Sequence, residues 1–460
     1  MKDSSNKGNN SSQQKAGGFF IISIGIIILL SSILINPWIG KFWRPDIIDF
    51  YDAMLEYFMW SLSLGILIVI GGLLVLKKRK KIIDNMTILL VTISIFFLSD
   101  RFLLVKFGIP IVVVDSKTLY RYRPNTVRQW GSGHPNPEKI VRINKYGFHD
   151  DDFPLKKSTN ELRGVAVGNS ITMGFSVTSS ETYSNQLENL LKKYDEKYNS
   201  YQIINTGVQG YSIHQEYQML KESMKFEPDF ATIGFCMNDI LAPSIMNRLL
   251  GRRAVEEYGI MKTTNPIISY LLNETGFGRL FIMLRKEFKL EESKRIRKQF
   301  GKKYTAWLKN SEKDKEIEKA WEYVLSDLGK IYDFADENSL QCVLLIFPDI
   351  FQLFNEQSRR SQKVLKTHAK KYNIDVIDFS EVFASVVKKD VIDIVSCDKR
   401  KINPDEIQML FLECSKKYFI DGHHPTPEGN RIIALTLLEY LDHKGLIKLT
   451  DIRRQKLWVK

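Results

Sequence analysis

Four short blocks of this sequence carry residue types that can do chemistry together. Gly164 to Val167 reads as a short strand running into Gly168-Asn169-Ser170, a small-residue turn that opens a helix. A serine placed there has both its hydroxyl and its backbone N–H at the carboxyl end of a strand, where negative charge is readily held. A second strand, Gln202 to Asn205, ends in Thr206-Gly207-Val208-Gln209-Gly210, and a third, Phe230 to Phe235, ends in Cys236-Met237-Asn238-Asp239. In a doubly wound sheet of order 2-1-3-4-5 these three strand ends converge on one crevice. Ser170 then supplies a nucleophile, and the N–H of Ser170, the N–H of Gly210 and the side-chain amide of Asn238 supply oxyanion donors. The base comes from Asp421-Gly422-His423-His424-Pro425, just ahead of a helix from about Asn430 to Leu441. Asp421 and His424 lie three apart on one tight turn, so the carboxylate can fix the imidazole tautomer and stabilise the imidazolium formed when serine loses its proton. Each block alone is an ordinary turn, and it is their combination that predicts a catalytic serine. The constellation calls for no metal and no organic cofactor.

In this chain order the four blocks resemble the SGNH subgroup of the GDSL hydrolases, over a stretch from about Arg163 to the end. The resemblance implies Ser170 as nucleophile, Gly210 and Asn238 at the oxyanion positions, and Asp421 with His424 as the acid-base pair, followed by the family's usual proline, Pro425. Asn169 stands where the family usually carries Asp, and Cys236 where it carries Gly. Arg142 to Phe148 also resembles a lead-in seen in bacterial membrane-linked members. The fold implied is α/β: a three-layer α/β/α doubly wound parallel sheet of flavodoxin-like type. The activity implied is hydrolysis of acyl esters by a Ser-His-Asp acyl-enzyme mechanism, on O-acetylated carbohydrate, lysophospholipid or other small esters and thioesters. Two alternatives stand beside it: transfer of the acyl group to a polysaccharide hydroxyl, and a non-catalytic scaffold or binding domain that keeps the fold.

The elements that must position these blocks alternate between short apolar runs and amphipathic helices, the pattern of a parallel sheet covered on both faces. Further strands are expected at Cys342 to Phe347 and Asp375 to Ile377. Tyr183, Leu187, Leu190 and Leu191 mark one helix, and Trp321, Val324, Leu325, Leu328, Ile331 and Tyr332 another. Residues 240–314 read as a helical, basic insertion over the end of the sheet, and 107–160 as a lead-in rich in Pro and Gly ahead of a hydrolase domain at 161–460.

The N-terminal third differs in kind. Residues 1–15 are polar and expected to be disordered, and residues 16–106 are expected to form about three transmembrane helices. Phe19 to Ile35 and Tyr57 to Leu76 are free of charge, and a third segment runs from about Ile82 to Val105 with Asp84, Asp100 and Arg101 near its ends. The basic cluster Lys77 to Lys81 orients the second loop toward the cytoplasm, so three spans place the catalytic domain on the extracytoplasmic face of the cell membrane. The expected partners are therefore the lipid bilayer and an acylated glycan or lipid of the envelope. The chain has 66 Lys and Arg against 53 Asp and Glu, a net charge of +13, but outside that cluster the basic residues are scattered with no nucleic-acid motif. Nucleic acid is not an expected partner. Four cysteines show no metal-finger spacing, Cys397 and Cys414 could form one bridge, and oligomeric state is left open.

Overall fold

The computed structural model describes residues 17–29, 50–77, 81–130, 135–240, 260–261, 263, 265–309, 313–397 and 404–449. The expected disordered N-terminus lies outside them. The chain forms two compact units, one of residues 1–110 with 257–288 and one of 111–256 with 289–460.

In the first unit a helix over residues 17–29 packs with α1 (Phe50–Lys77) and α2 (Lys81–Phe107). Ile21, Ile28, Ile68 and Val91 form its small buried core. Helix 17–29 and α1 approach closely through glycines: a Cβ on Gly25 would lie 2.7 Å from Val69, and one on Gly72 would lie 2.7 Å from Ile22. Among the described residues no helix is long and apolar enough to cross a membrane, so none of the three expected spans is found there. The described part of the first is short of the ~20 residues a span needs, and α2 carries Asp84, Asp100 and Arg101.

The second unit opens with two antiparallel hairpins where the sequence reads as loop: β1 (Val112–Asp115) with β2 (Leu119–Tyr122), and β3 (Thr126–Gln129) with β4 (Ile140–Ile143). Then comes the expected alternation. β5 (Glu161–Val167) leads into α3 (Ser170–Met173) and α4 (Tyr183–Tyr194), β6 (Ser200–Asn205) into α5 (Ile213–Ser223), and β7 (Phe230–Phe235) into a 3-10 turn at Met237–Ile240. The described part of the expected insertion is helical: Pro266–Glu274 and the start of α6 (Gly276–Leu308), up to residue 288, belong to the first unit and the rest of α6 to the second, while residues 241–259 lie outside the described set. α7 (Lys315–Glu337), β8 (Gln341–Ile346), α8 (Ile350–Phe354), α9 (Arg360–Lys371), β9 (Asp375–Asp378), α10 (Phe379–Cys397), α11 (Pro404–Ser415) and α12 (Pro427–His443) complete the unit.

β6, β5, β7, β8 and β9 form one parallel sheet in that order, with the first strand of the series between the second and third as expected. Successive side chains of a strand face opposite sides. Leu162, Ala166, Ile203, Val343 and Leu345 join the core made with α4, α10 and α12. The residues between them face the other layer, where Phe235 stacks on Trp321 of α7 at 6.0 Å. The α/β class and the parallel sheet are thus as the alternation predicts. Cys414 carries a buried free thiol, and the Cys397 side chain lies outside the described residues.

Candidate active site

β5 is buried along its whole length, and its carboxyl end delivers Gly168, Asn169 and Ser170 to the sheet's edge. The Asn169 side chain caps the four-residue helix α3 by accepting the Ile171 N–H at 3.2 Å. The loop after β6 is stapled against that helix. Asn205 Nδ2 donates to Thr172 O at 2.8 Å, and Val208 N donates to Gly168 O at 3.1 Å. A Cβ on Gly207 would lie 2.3 Å from Met173 N, so only glycine permits this approach. Gly210 sits on the same loop at φ +77°, in the left-handed region. The β1–β2 hairpin clamps this loop from outside, Tyr120 OH donating to Gln209 O at 2.8 Å and Gln209 N donating to Tyr122 OH at 3.2 Å.

The base is held by the turn before α12. Pro427 begins that helix with Thr426 as cap, and an isolated bridge between Phe419 and Pro425 closes the turn. Asp421 Oδ1 accepts the N–H groups of His423 and His424, both at 2.9 Å. Its Oδ2 lies 2.7 Å from His424 Nδ1, and His424 Nε2 lies 2.9 Å from Ser170 Oγ. Phe175 stacks on the imidazole with centroids 4.2 Å apart. Burial alone would raise the Asp421 carboxyl, but the His424 hydrogen bond and charge and the two N–H donors hold it well below the usual carboxylate range. An ionised carboxylate accepts only, so Nδ1 carries the proton and Nε2 presents its lone pair to the serine hydroxyl.

The structure therefore brings Ser170, His424 and Asp421 into one hydrogen-bonded array. Gly210 lies on the adjoining loop, and Asn238 is in the turn after β7, with its side chain outside the described residues. Ser170 and His424 are both nearly buried, at 4% and 8% exposure. Asp421, His423 and His424 offer ligand atoms within 4.8 Å of one another, but both ring nitrogens of His424 are already engaged by Asp421 and Ser170. His423 turns instead to Asp349, its Nδ1 3.5 Å from Oδ1, and burial pushes that carboxyl up to about 6. Asp349 caps α8, whose Phe351 and Phe354 join Leu308, Thr305 and Lys309 around a cavity of about 580 Å³.

Sequence reading passes over two polar groups behind α3. His149 is fully buried with Nδ1 2.8 Å from Met173 O, and burial lowers it to about 4, so the ring is neutral and donates from Nδ1. Asp150 accepts the Asn205 N–H at 2.9 Å, and burial pushes it up to about 8. The neighbouring Tyr146-Gly147-Phe148 stretch is the part of the signal that could have drawn attention to them. Because the folded Asp150 keeps a proton that the unfolded chain releases at the ordinary carboxyl value of 3.8, its contribution to stability falls as pH rises from about 4 to about 8. Asp150→Asn keeps the carbonyl acceptor without a titrating proton. Thermal melts at pH 5 and pH 8 should show a smaller drop for this variant than for wild type, and equal drops would mean that Asp150 does not titrate in this range.

The family described as GDSL-like Lipase/Acylhydrolase matches residues 165–437, more than half of the chain. No curated protein is similar enough to match. Among solved structures, the lipase/acylhydrolase from Enterococcus faecalis is 13% identical, with 63% of this chain and 99% of that one covered and a TM-score of 0.32. An acetylxylan esterase from Geobacillus stearothermophilus is 13% identical, with 61% and 94% covered and a TM-score of 0.33. A psychrotrophic esterase from Pseudoalteromonas sp. is 10% identical, with 62% and 97% covered and a TM-score of 0.30.

Proposed function

We propose, for a chain that belongs to the GDSL-like lipase/acylhydrolase family and is an ester-hydrolysing enzyme, that Ser170, His424 and Asp421 are its catalytic residues and that its substrate is an acyl ester, O-acetyl above all, of envelope carbohydrate or lipid. The observation that carries the catalytic assignment is the continuous link from Asp421 Oδ2 through His424 to Ser170 Oγ, at 2.7 and 2.9 Å. His424 Nε2 takes the Ser170 proton as Oγ attacks the ester carbonyl. The oxyanion that develops accepts from the N–H groups of Ser170 and Gly210 and from the Asn238 amide. His424 then gives its proton to the leaving alkoxide, leaving an acyl-enzyme, and water attacks that ester with His424 again as base. The cavity beside α8 supports room for an apolar part of the substrate near the catalytic turn.

The envelope assignment rests on the N-terminal third, which we take to anchor the enzyme in the cell membrane as a multi-pass segment with the catalytic unit on the outer face. Its support is the charge-free run Tyr57 to Leu76, the glycine-mediated helix approach that membranes favour, and apolar side chains left outward, such as Leu67 at 63% and Phe96 at 64% exposure. Lys77 to Lys81 supports a cytoplasmic second loop.

The test is the fate of the acyl group. Incubated with acetyl-labelled envelope polysaccharide, the full-length enzyme should release free labelled acetate in proportion to time. Label that appears instead on a second sugar acceptor would replace hydrolysis by O-acyl transfer, and no turnover of any acylated glycan or lipid would remove the substrate assignment.

A further inference from the structure

The segment that follows Ser170 does more than end its helix. Gly174, at φ +88°, turns the chain out of α3, and the Phe175 N–H donates to the carbonyl of Ser170 itself at 3.0 Å. Nucleophile and aromatic ring are thus tied to the two ends of one turn. The Phe175 ring stacks on the His424 imidazole, with centroids 4.2 Å apart and planes 29° from parallel. The His423 ring is as near, at 4.0 Å, but lies tilted by 41°. Trp130, just after β3, packs against Phe175 in turn with ring centroids 5.3 Å apart, and its Nε1 donates to Val177 O at 3.2 Å. Two more residues of the connection between β3 and β4 grip the same segment. Asn136 Nδ2 donates to Ser176 O at 2.9 Å, and Lys139 Nζ pairs with Glu181 at 2.7 Å. Ser176 is fully buried at φ +60°, a conformation that a residue with a Cβ keeps only where its surroundings impose it.

The face of an aromatic ring is its negative part, and a cation held over it is attracted, the more so where water is excluded. His424 becomes such a cation only when it takes the Ser170 proton, and it does so in a nearly buried site. The stack therefore gains strength as the barrier is crossed, which raises turnover rather than tightening the binding of substrate. We propose that Phe175 is a positioning residue of the reaction, a seat that aims the His424 ring at Ser170 and favours its imidazolium form, and that the connection between β3 and β4 holds this seat through Trp130. This rests on His424 being the base. A stretch well ahead of the hydrolase blocks, residues 130–139, then takes part in the reaction through the ring on which the base lies.

The experiment replaces Phe175 in the full chain by leucine and by phenylalanines carrying one, three and five ring fluorines, which draw charge from the aromatic face with little change of shape. Each variant is read by kcat and KM on p-nitrophenyl acetate and by the rate of fluorophosphonate labelling, with a thermal melt beside them. The logarithm of kcat should fall stepwise with fluorine number, and F175L should lose about 10-fold or more, with KM within about 2-fold throughout. W130A should lose kcat in the same way, and W130F, which keeps a ring against Phe175, should return to within about 3-fold of wild type. Should F175L fail to fold, the fluorinated series decides, because it leaves the packing in place. A kcat that ignores fluorine number, or a loss confined to KM, overturns the role of Phe175. W130A at the wild-type rate, or W130F as poor as W130A, overturns the part played by Trp130. If His424→Ala keeps wild-type labelling, it is the assignment of the base that fails rather than its seat.

Discussion

Replacing Ser170 by alanine is expected to abolish ester hydrolysis while leaving the fold intact. Losing the nucleophile of a serine hydrolase costs about 10⁶ in kcat, because the oxyanion donors and substrate binding that remain cannot form an acyl-enzyme. The fold should tolerate the change: helix α3 is capped by Asn169 rather than by Ser170, and the Ser170 hydroxyl is committed to His424 rather than to the backbone. Fluorophosphonate treatment followed by intact mass measurement is the direct check. Wild type should gain one adduct and Ser170→Ala none, with melting temperatures within a few degrees of each other. An adduct on Ser170→Ala would place the nucleophile elsewhere.

Asp421→Asn should be nearly as damaging, for a reason that lies in a single proton. The substituted amide can keep its oxygen on the two backbone N–H groups that Asp421 Oδ1 now accepts. Its NH2 then points at His424 Nδ1, where the carboxylate oxygen of the native residue sits 2.7 Å away. Nδ1 has to become the acceptor, the proton moves to Nε2, and the nitrogen facing Ser170 can no longer receive one. A loss of about 10⁴ in kcat with little change in KM is expected from the wrong tautomer alone. His423→Ala is the control, because that ring turns to Asp349, and it should keep most of the activity. If His423→Ala were the silent variant and Asp421→Asn the active one, the acid-base pair would be in the wrong register.

Much of the sheet was legible because its signals are local. Phe230 to Phe235 is the strand expected, Gly164 to Val167 gains three residues at its start, and Asp375 to Ile377 gains one at its end. The hairpins at residues 112–143 were not legible, because strands of only four residues give too few alternations to stand out. Their purpose is visible only in three dimensions, where Tyr120 and Tyr122 hold Gln209 beside Gly210. The same holds for Asp239. Adjacent positions in a motif announce Ser170 and the Asp421-His424 turn, whereas Asp239 meets Asn169 across 70 positions of chain and leaves no trace in spacing. Likewise, Phe175 is an unremarked aromatic in the sequence and a stacking partner of the base in the structure. In the sequence, the membrane reading rests on charge-free runs and one basic cluster, signals of composition that speak of length and polarity rather than of how helices pack.

The hydrogen bond between Ser170 and His424 joins residues 254 positions apart. Closing a loop of that length is entropically slow relative to pairing β5 with β6, and it is compensated only when α12 docks on α4, where Gln186 Nε2 donates to Pro427 O at 2.8 Å. During synthesis the half of the sheet that presents the serine emerges before the turn that carries its base. The serine is then an ordinary alcohol. Chemical competence therefore waits on the docking of α12, and the appearance of activity in a refolding mixture times that docking rather than the formation of the sheet.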